Sequence, residues 1–485
     1  MTDKIIILWL RQDLRLKDNP ALVAASSYPI LPIYINDTTA TYQTGSASRW
    51  WLHHSLKKLQ DSLKGNLSFY QGDPQEVLLN LLQRFSVQGV YWNRCYEPFQ
   101  IDRDKKIKTS LKMKGLDIKS FNGSLLFEPW DVLKNDGSPY KVFTPFYKNG
   151  CLSRPAPRKP LDVPQGLNLL KDKESFLLEK FDFLPHHAWS KKLENHWEIG
   201  EEAAQKRLYD FIDHDLRHYK KGRDFPAQKT TSRLSPYLHF GEVSPNQVWY
   251  AAQTQKPDDN LIHFLSELGW REFSYYLLYH FPHLPHQNFN PKFDAFPWIE
   301  APSFLEKWQK GKTGYPIVDA GMRELWQTGS MHNRVRMIVG SFLVKNLRLH
   351  WRQGASWFWD CLVDADCANN SAGWQWVAGS GADASPYFRI FNPVTQGQKF
   401  DPEGSYTYHH VPELKNLPIR YLFNPWEAPQ DVLEKAGVIL GKTYPFPLVN
   451  LQQSRKEALE AFKTLSSQIS GSTPNFPQGI QHRCP

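Results

Sequence analysis

DADCANNSAGWQWVAGSGADASPYFRIFNP, residues 364–393, is the stretch on which the reading of the chain turns. Its charged residues are few and stand apart: Asp364, Asp366, Asp383 and Arg389. Asn370, Trp374 and Trp376 sit among alanine, glycine and serine. Small residues let a large planar object approach the backbone. Trp374-Gln375-Trp376 places two indoles around one amide. An aromatic, glycine-rich, sparsely charged stretch in a basic protein reads as the wall of a cofactor or base pocket. Composition alone also fits a buried helix and loop packed on their own tryptophans.

Outward from this stretch, the chain has 485 residues, 41% hydrophobic content, a net charge of +9 and 18 tryptophans. That length allows two or three domains. The charge suggests a polyanionic partner, and the tryptophans suggest stacking surfaces or an aromatic core. Five cysteines without a C-x-x-C argue against a disulfide framework or zinc site and for a reducing compartment. The apolar run Ile5–Leu10 is too short for a signal segment or a membrane span. A cytoplasmic, bacterial-type monomer is expected.

Up to residue 130, strand patterns at Ile5–Leu10, Ile30–Ile35, Leu67–Tyr70, Val90–Trp92 and Ile118–Phe121 alternate with helical patterns at Ser48–Leu63 and Pro74–Phe85. This alternation predicts an α/β domain with a parallel, Rossmann-like sheet. No G-x-G-x-x-G follows the first strand. Ligands of such sheets lie at the carboxyl ends of strands, where R-Q-D-L-R-L and N-R-C-Y-E-P fall. Residues 131–196 read as a long connector over the surface, basic and proline-rich at S-R-P-A-P-R-K-P. Residues 197–465 read as an all-α domain. Ser235-Pro236 and Ser244-Pro245 are its N-cap and first-turn proline pairs. Residues 466–485 read as a disordered tail.

Several motifs carry chemistry. Thr231-Ser232-Arg233-Leu234-Ser235 gathers hydroxyls, N–H groups and an arginine before a helix, which suits a phosphate site or a plain cap. Glu267, Trp270 and Arg271 stand at i, i+3 and i+4 and share a helix face. Alone they fit a surface Glu–Arg pair beside a half-buried indole. Asn333 and Met337 lie one turn apart in M-H-N-R-V-R-M. Asp364 and Asp366 lack a third ligand, so no metal is expected.

With D-x-x-x-N-x-x-G-W-Q-W from Asp366 and D-A-S-P-Y-F-R-I-F-N-P from Asp383, the sequence resembles the DNA photolyase/cryptochrome family. It looks most like the class I cyclobutane pyrimidine dimer photolyases. The likeness runs from W-L-R-Q-D-L-R-L-K-D-N-P-A-L at Trp9, through Y-K-V-F-T-P-F-Y-K at Tyr140, to about Trp426. It implies FAD, reduced and anionic when active, in the helical domain. It also implies an antenna chromophore, methenyltetrahydrofolate or 8-hydroxy-deazaflavin, in the first domain. The implied activity is light-driven electron transfer to a cyclobutane dimer flipped out of DNA. A cryptochrome-type blue-light receptor is the alternative.

The resemblance also implies roles for residues. Tyr219, Thr231, Ser232, Arg233, Leu234, Ser235, Arg336, Asp364, Ala365, Asp366 and Asn370 would hold FAD, with Arg336 paired to Asp364 and Asn370 facing flavin N5. Glu267 and Trp270 would meet the lesion, with Trp376 as its other wall and Arg271, Asn333 and Met337 beside it. Arg223, Arg334 and Thr395 would touch DNA. Trp298, Trp351 and Trp374 would relay electrons from the surface. Photolyases for the (6-4) product carry histidine at the positions of Asn333 and Met337, so cyclobutane dimers are implied here. Two departures stand out. Phe99-Gln100 replaces the Asn-Glu pair of the folate-type pattern, and His409-His410-Val411 lacks the family's tryptophan.

Overall fold

Five short strands set the frame of the computed structural model, which describes residues 4–184 and 188–467. They are β1 (Ile5–Leu10), β2 (Ile30–Asp37), β3 (Ser68–Gly72), β4 (Val87–Asn93) and β5 (Asp117–Phe121). All pair in parallel, in the order β3-β2-β1-β4-β5. Central β1 is buried at every position, as a strand covered on both faces must be. Its side chains divide by parity. Ile5, Ile7 and Trp9 join Leu78, Leu81, Ile107 and Leu111 in one core. Ile6, Leu8 and Leu10 join another, which includes Phe211, Phe240 and Leu261 from the helical part of the chain. One sheet face thus shares its core with the second half of the molecule.

The connecting helices are α1 (Pro20–Ala25), α2 (Ser46–Ser62), α3 (Pro74–Arg84) and α4 (Pro98–Met113). The α3 helix starts because Asp73 caps Gln75 N and Pro74 needs no acceptor for an N–H. At the point where strand order reverses, between β1 and β4, polar side chains bind one another. Arg11 Nη1 donates to Asp104 Oδ2 (2.6 Å), and Asn93 Nδ2 donates to Asp13 Oδ2 (2.6 Å).

The connector corrects an expectation. It does not merely run over the surface. Leu169 bridges Ile30 and Phe176 bridges Phe69. Asp172 accepts from Tyr70 OH (2.6 Å) and from Arg84 Nη2 (2.6 Å). Leu178, Phe181 and Phe183 are buried in the core shared by both halves. The sheet takes up connector backbone and side chains because they satisfy its open groups.

In the helical part, four helices matter most: α5 (Asp259–His280), α6 (Asn333–Ser341), α7 (Trp351–Cys361) and α8 (Cys367–Ala378). The α8 helix packs against α5, α6 and α7. Ser244 is the N-cap its sequence predicts, and it also forms a full capping box with Gln247. Phe358 of α7 and Trp374 of α8 join a further core with Trp308 and Phe342. The two halves also meet through hydrogen bonds. Ser46 N and Oγ donate to Asp360 Oδ1, and Ser48 Oγ donates to Leu362 O.

Among the described residues, Cys95, Cys151, Cys361 and Cys367 are buried free thiols. None of their groupings could hold a metal, and no helix is long and apolar enough to cross a membrane. The expected tail lies outside the described residues, apart from Ser466 and Ser467, which close the last helix.

Candidate active site

The segment 231–235 is braced from behind. Arg207 donates through Nε to Ser232 O (2.8 Å) and through Nη2 to Thr231 O (2.9 Å). Both carbonyls are thereby occupied. Among the described residues, the hydroxyls of Thr231 and Ser232 and the N–H groups of residues 231–234 make no hydrogen bonds. They form a set of unpaired donors on one short loop, suited to an anion. Buried Thr230 Oγ1 beside them also lacks a partner. Tyr219 and Leu234 are both buried.

One sequence expectation changes here, at Ser235. Arg233 adopts a left-handed backbone (φ 53°), and its guanidinium lies 4.1 Å over the Trp197 ring. That π face holds one side of the guanidinium. Ser235 is not an N-cap. It is the first helical residue, and its hydroxyl donates to Asp364 Oδ2 (2.5 Å). The carboxylate drew the hydroxyl away because a buried charge needs donors more than a helix end does.

Asp364 also meets Arg336 Nη2 (3.2 Å), whose Nε donates to Met331 O (2.8 Å). The phosphate-type loop, α6 and the start of α8 are thus tied at one carboxylate. Next to it, Ala365 is buried and Asp366 caps α8 by accepting from Asn369 N (2.7 Å). Burial pushes Asp366 up, but His239, the Tyr275 hydroxyl and the Asn369 N–H together hold it down at about 2. Burial first, and then the Asp366 charge, push neighbouring Glu97 up to about 7.

One turn along α8, Asn370 Nδ2 donates to Ala355 O (3.0 Å). Asn370, Gly373 and Trp376 follow at three-residue steps, so they share a face. A methyl built on Gly373 would meet nothing within 4 Å. That face opens into free space bounded by an amide and an indole. Unpaired donors on the 231–235 loop, the Ser235–Asp364–Arg336 cluster and this small-residue face together fit a pyrophosphate and a planar ring.

The expected lesion residues come from the helices around α8. Trp270, on α5, stacks on Phe143 with centroids 3.9 Å apart and planes 11° apart. Asn333 is exposed at the start of α6, while Met337 and Trp376 are half-buried. Glu267 pairs with Arg223, with His263 Nε2 3.9 Å away. Arg271 turns elsewhere, donating to Ser124 O (2.9 Å) and meeting Glu272 Oε1 (3.4 Å). Shared helix face therefore did not bring Arg271 to Glu267. Glu272 is fully buried, its pKa raised to about 7 by that burial, and it takes the neighbouring countercharge.

The three DNA candidates lie near one another. Arg334 pairs with Asp224 and stands 4.4 Å over Phe400. Phe400 ends the helix Pro393–Phe400, whose third residue is Thr395.

The relay candidates are spaced by other rings. Half-buried Trp298 lies 5.0 Å from His350, and His350 lies 5.7 Å from Trp351. Trp351 Nε1 donates to Asn288 Oδ1 (2.9 Å). Trp374 packs at 4.9 Å from Phe358 and 6.2 Å from Trp308. Gly354 on α7 faces Trp374 so closely that an added methyl would overlap its indole. Gly354→Ala is expected to destabilise the fold by about 1–3 kcal/mol through overpacking. Denaturant midpoint and Trp374 fluorescence check this, and an unchanged midpoint would contradict the packing described.

Residues 6–165 match the DNA photolyase model, and residues 264–464 match the FAD binding domain of DNA photolyase. The chain is 48% identical to a deoxyribodipyrimidine photo-lyase of Agrobacterium fabrum, over 94% of this chain and 97% of that one. The chain belongs to the photolyase/cryptochrome family. Cryptochrome-1 of Arabidopsis thaliana is 36% identical over 95% of this chain and 70% of its own length. A crystal structure of a class III photolyase from Agrobacterium tumefaciens superposes with a TM-score of 0.93, at 46% identity, over 96% of this chain and 98% of that one. The motifs suggest class I, whereas this neighbour is a class III protein. The family is what these relatives share.

Within the photolyase/cryptochrome frame, the sequence misses several residues that hold the site. Gln375 anchors both its indole neighbours, donating to Leu284 O (2.7 Å) and accepting from Phe289 N (2.7 Å). Its place between two tryptophans was a usable signal. His239 and Tyr275, which hold Asp366, lie 127 and 91 residues away from it and left no local trace. His350 was likewise unmarked.

Proposed function

We propose that this chain splits cyclobutane pyrimidine dimers in DNA under light, with FAD as cofactor. The observation that carries this reading is the convergence on α8. Glu267 and Trp270 on α5 and Asn333 and Met337 on α6 belong to helices that each pack against α8, which carries Asn370 and Trp376. FAD, when bound, supplies the photoexcited electron. The 231–235 donors, Ser235, Arg336, Asp364 and Asp366 would hold it.

The protein's own groups do the rest. Trp270 and Trp376 offer stacking surfaces, each worth about 1–3 kcal/mol per base. Glu267 offers a carboxyl for the thymine carbonyls, where negative charge develops. Asn370 is a neutral amide tied to Ala355 O, so it adds no negative charge beside a reduced ring. Asn333 and Met337 carry no imidazole proton, which favours a cyclobutane substrate over a (6-4) product. An antenna chromophore in the sheet domain belongs to the same reading, and one absorbance spectrum of the purified protein identifies it.

The test uses DNA carrying one type of lesion. Cyclobutane dimers are expected to disappear under blue light and persist in darkness, while (6-4) products persist in both. Equal repair of the two lesions would overturn the substrate assignment. Light absorption without loss of either lesion would favour the receptor reading.

A further inference from the structure

Arg223 and Asp224 are adjacent in the chain, yet each reaches a different helix. Arg223 pairs with Glu267 on α5 and sits 2.8 Å from His263 Nε2. Asp224 Oδ1 accepts from Arg334 Nη2 on α6 at 2.7 Å. The Arg334 side chain is only 20% exposed and Asp224 is 38% exposed. Arg334 Nη1 points at Met337 Sδ (3.8 Å), and its buried Nε has no partner. His332 lies in the same field, with Asp224, Arg223, Arg334 and Arg336 around it. Burial above all pushes His332 down to about 4, so it is neutral at pH 7 and adds no charge. Asp224 is therefore the anion that masks Arg334.

We propose that Asp224 is a specificity-determining residue, which keeps Arg334 from gripping undamaged DNA. This inference rests on the reading that extruded dimers are bound beside Met337. Non-specific affinity comes from cations that neutralise phosphates. A cation already neutralised by a carboxylate contributes little to it. Arg334 is also recessed, stacked on Phe400 and facing Met337. At 20% exposure it can still meet a straight duplex's phosphate once unmasked, but such a duplex does not displace the carboxylate. A backbone bent around an extruded base can lower a phosphate to Arg334 and replace the carboxylate. The unpartnered Nε–H then gains an acceptor too, and an arginine fork suits two phosphate oxygens. A partly exposed ion pair is weak enough for this exchange to be reversible.

The experiment measures binding of Asp224→Asn to undamaged and dimer-containing duplexes across a salt series in the dark, using the flavin-loaded protein. Affinity for undamaged duplex should rise several-fold, and its log–log salt slope should steepen by about 0.9. Affinity for damaged duplex should rise less, so the preference for damage falls. In an Arg334→Gln background the effect of Asp224→Asn should vanish, as expected for coupled residues. Unchanged affinity for undamaged duplex overturns the proposal. So does an effect that survives in the Arg334→Gln background, since it would reflect bulk charge alone. Asp224→Ser carries the same comparison if Asp224→Asn does not fold, judged by melting and flavin content. Failure of the repair reading shows separately, as a wild-type protein with no preference for dimers and no light-driven loss of them. The undamaged-duplex cycle still decides whether Asp224 masks Arg334.

Discussion

Arg336→Leu is expected to purify colourless, with flavin absorbance lost relative to protein absorbance. Asp364 has a side chain only 4% exposed, and its partners are Ser235 Oγ and Arg336 Nη2. Leucine would leave that carboxylate buried with a single hydroxyl. Removing one partner of a buried ion pair costs about 3–5 kcal/mol. It also frees the Met331 carbonyl that Arg336 Nε caps. The loss would fall on the junction between the 231–235 loop, α6 and α8, so cofactor retention should fail before the sheet does. Arg336→Lys should lie between, since it keeps a charge but not the two-sided fork. The measurements are flavin-to-protein absorbance and a thermal melt. Full flavin content with an unchanged melt would remove Arg336 and Asp364 from the proposed cofactor site.

Trp298→Phe is expected to abolish light-driven reduction of the oxidised cofactor, yet leave repair nearly intact once the cofactor is reduced chemically. Trp298 is half-buried near the surface, while Trp351 and Trp374 are buried. An electron drawn inward leaves a positive charge that moves outward along these rings. His350 stands between Trp298 and Trp351. Burial, followed by the Arg352 charge, pushes His350 down to about 4. It is neutral at pH 7 and does not repel that charge. Repair needs no such path, because the electron goes from cofactor to lesion and back. Flash photoreduction and dimer loss by prereduced enzyme separate the two. If both fall together, Trp298 serves packing or DNA binding and is no relay.

Much of the fold was legible because it was local. Strand alternation found all five strands, and Ser244 caps its helix ahead of Pro245 as the sequence writes it. The site was legible mainly as motifs. What the sequence hid was the choice of partner among groups equally able to bind. Helical spacing put Arg271 beside Glu267, but buried Glu272 took the arginine, and Arg223, 44 residues upstream, took Glu267. Ser235 looked like a cap until Asp364, 129 residues on, offered a charge. In each case burial or a strong partner far along the chain overrode a local preference, and no spacing rule encodes that.

The parity of β1 has a bearing on ancestry. Because Ile6, Leu8 and Leu10 share a core with Phe211, Phe240 and Leu261, the sheet is no cartridge that could be traded between genes by itself. Cut free at residue 130, it would bare that apolar face, and α2 would lose its ties at Asp360 and Leu362. The sheet half and the helical half must therefore change together. A substitution on either side of the shared core is judged by both, which favours drift in the surface crevices over exchange of whole halves.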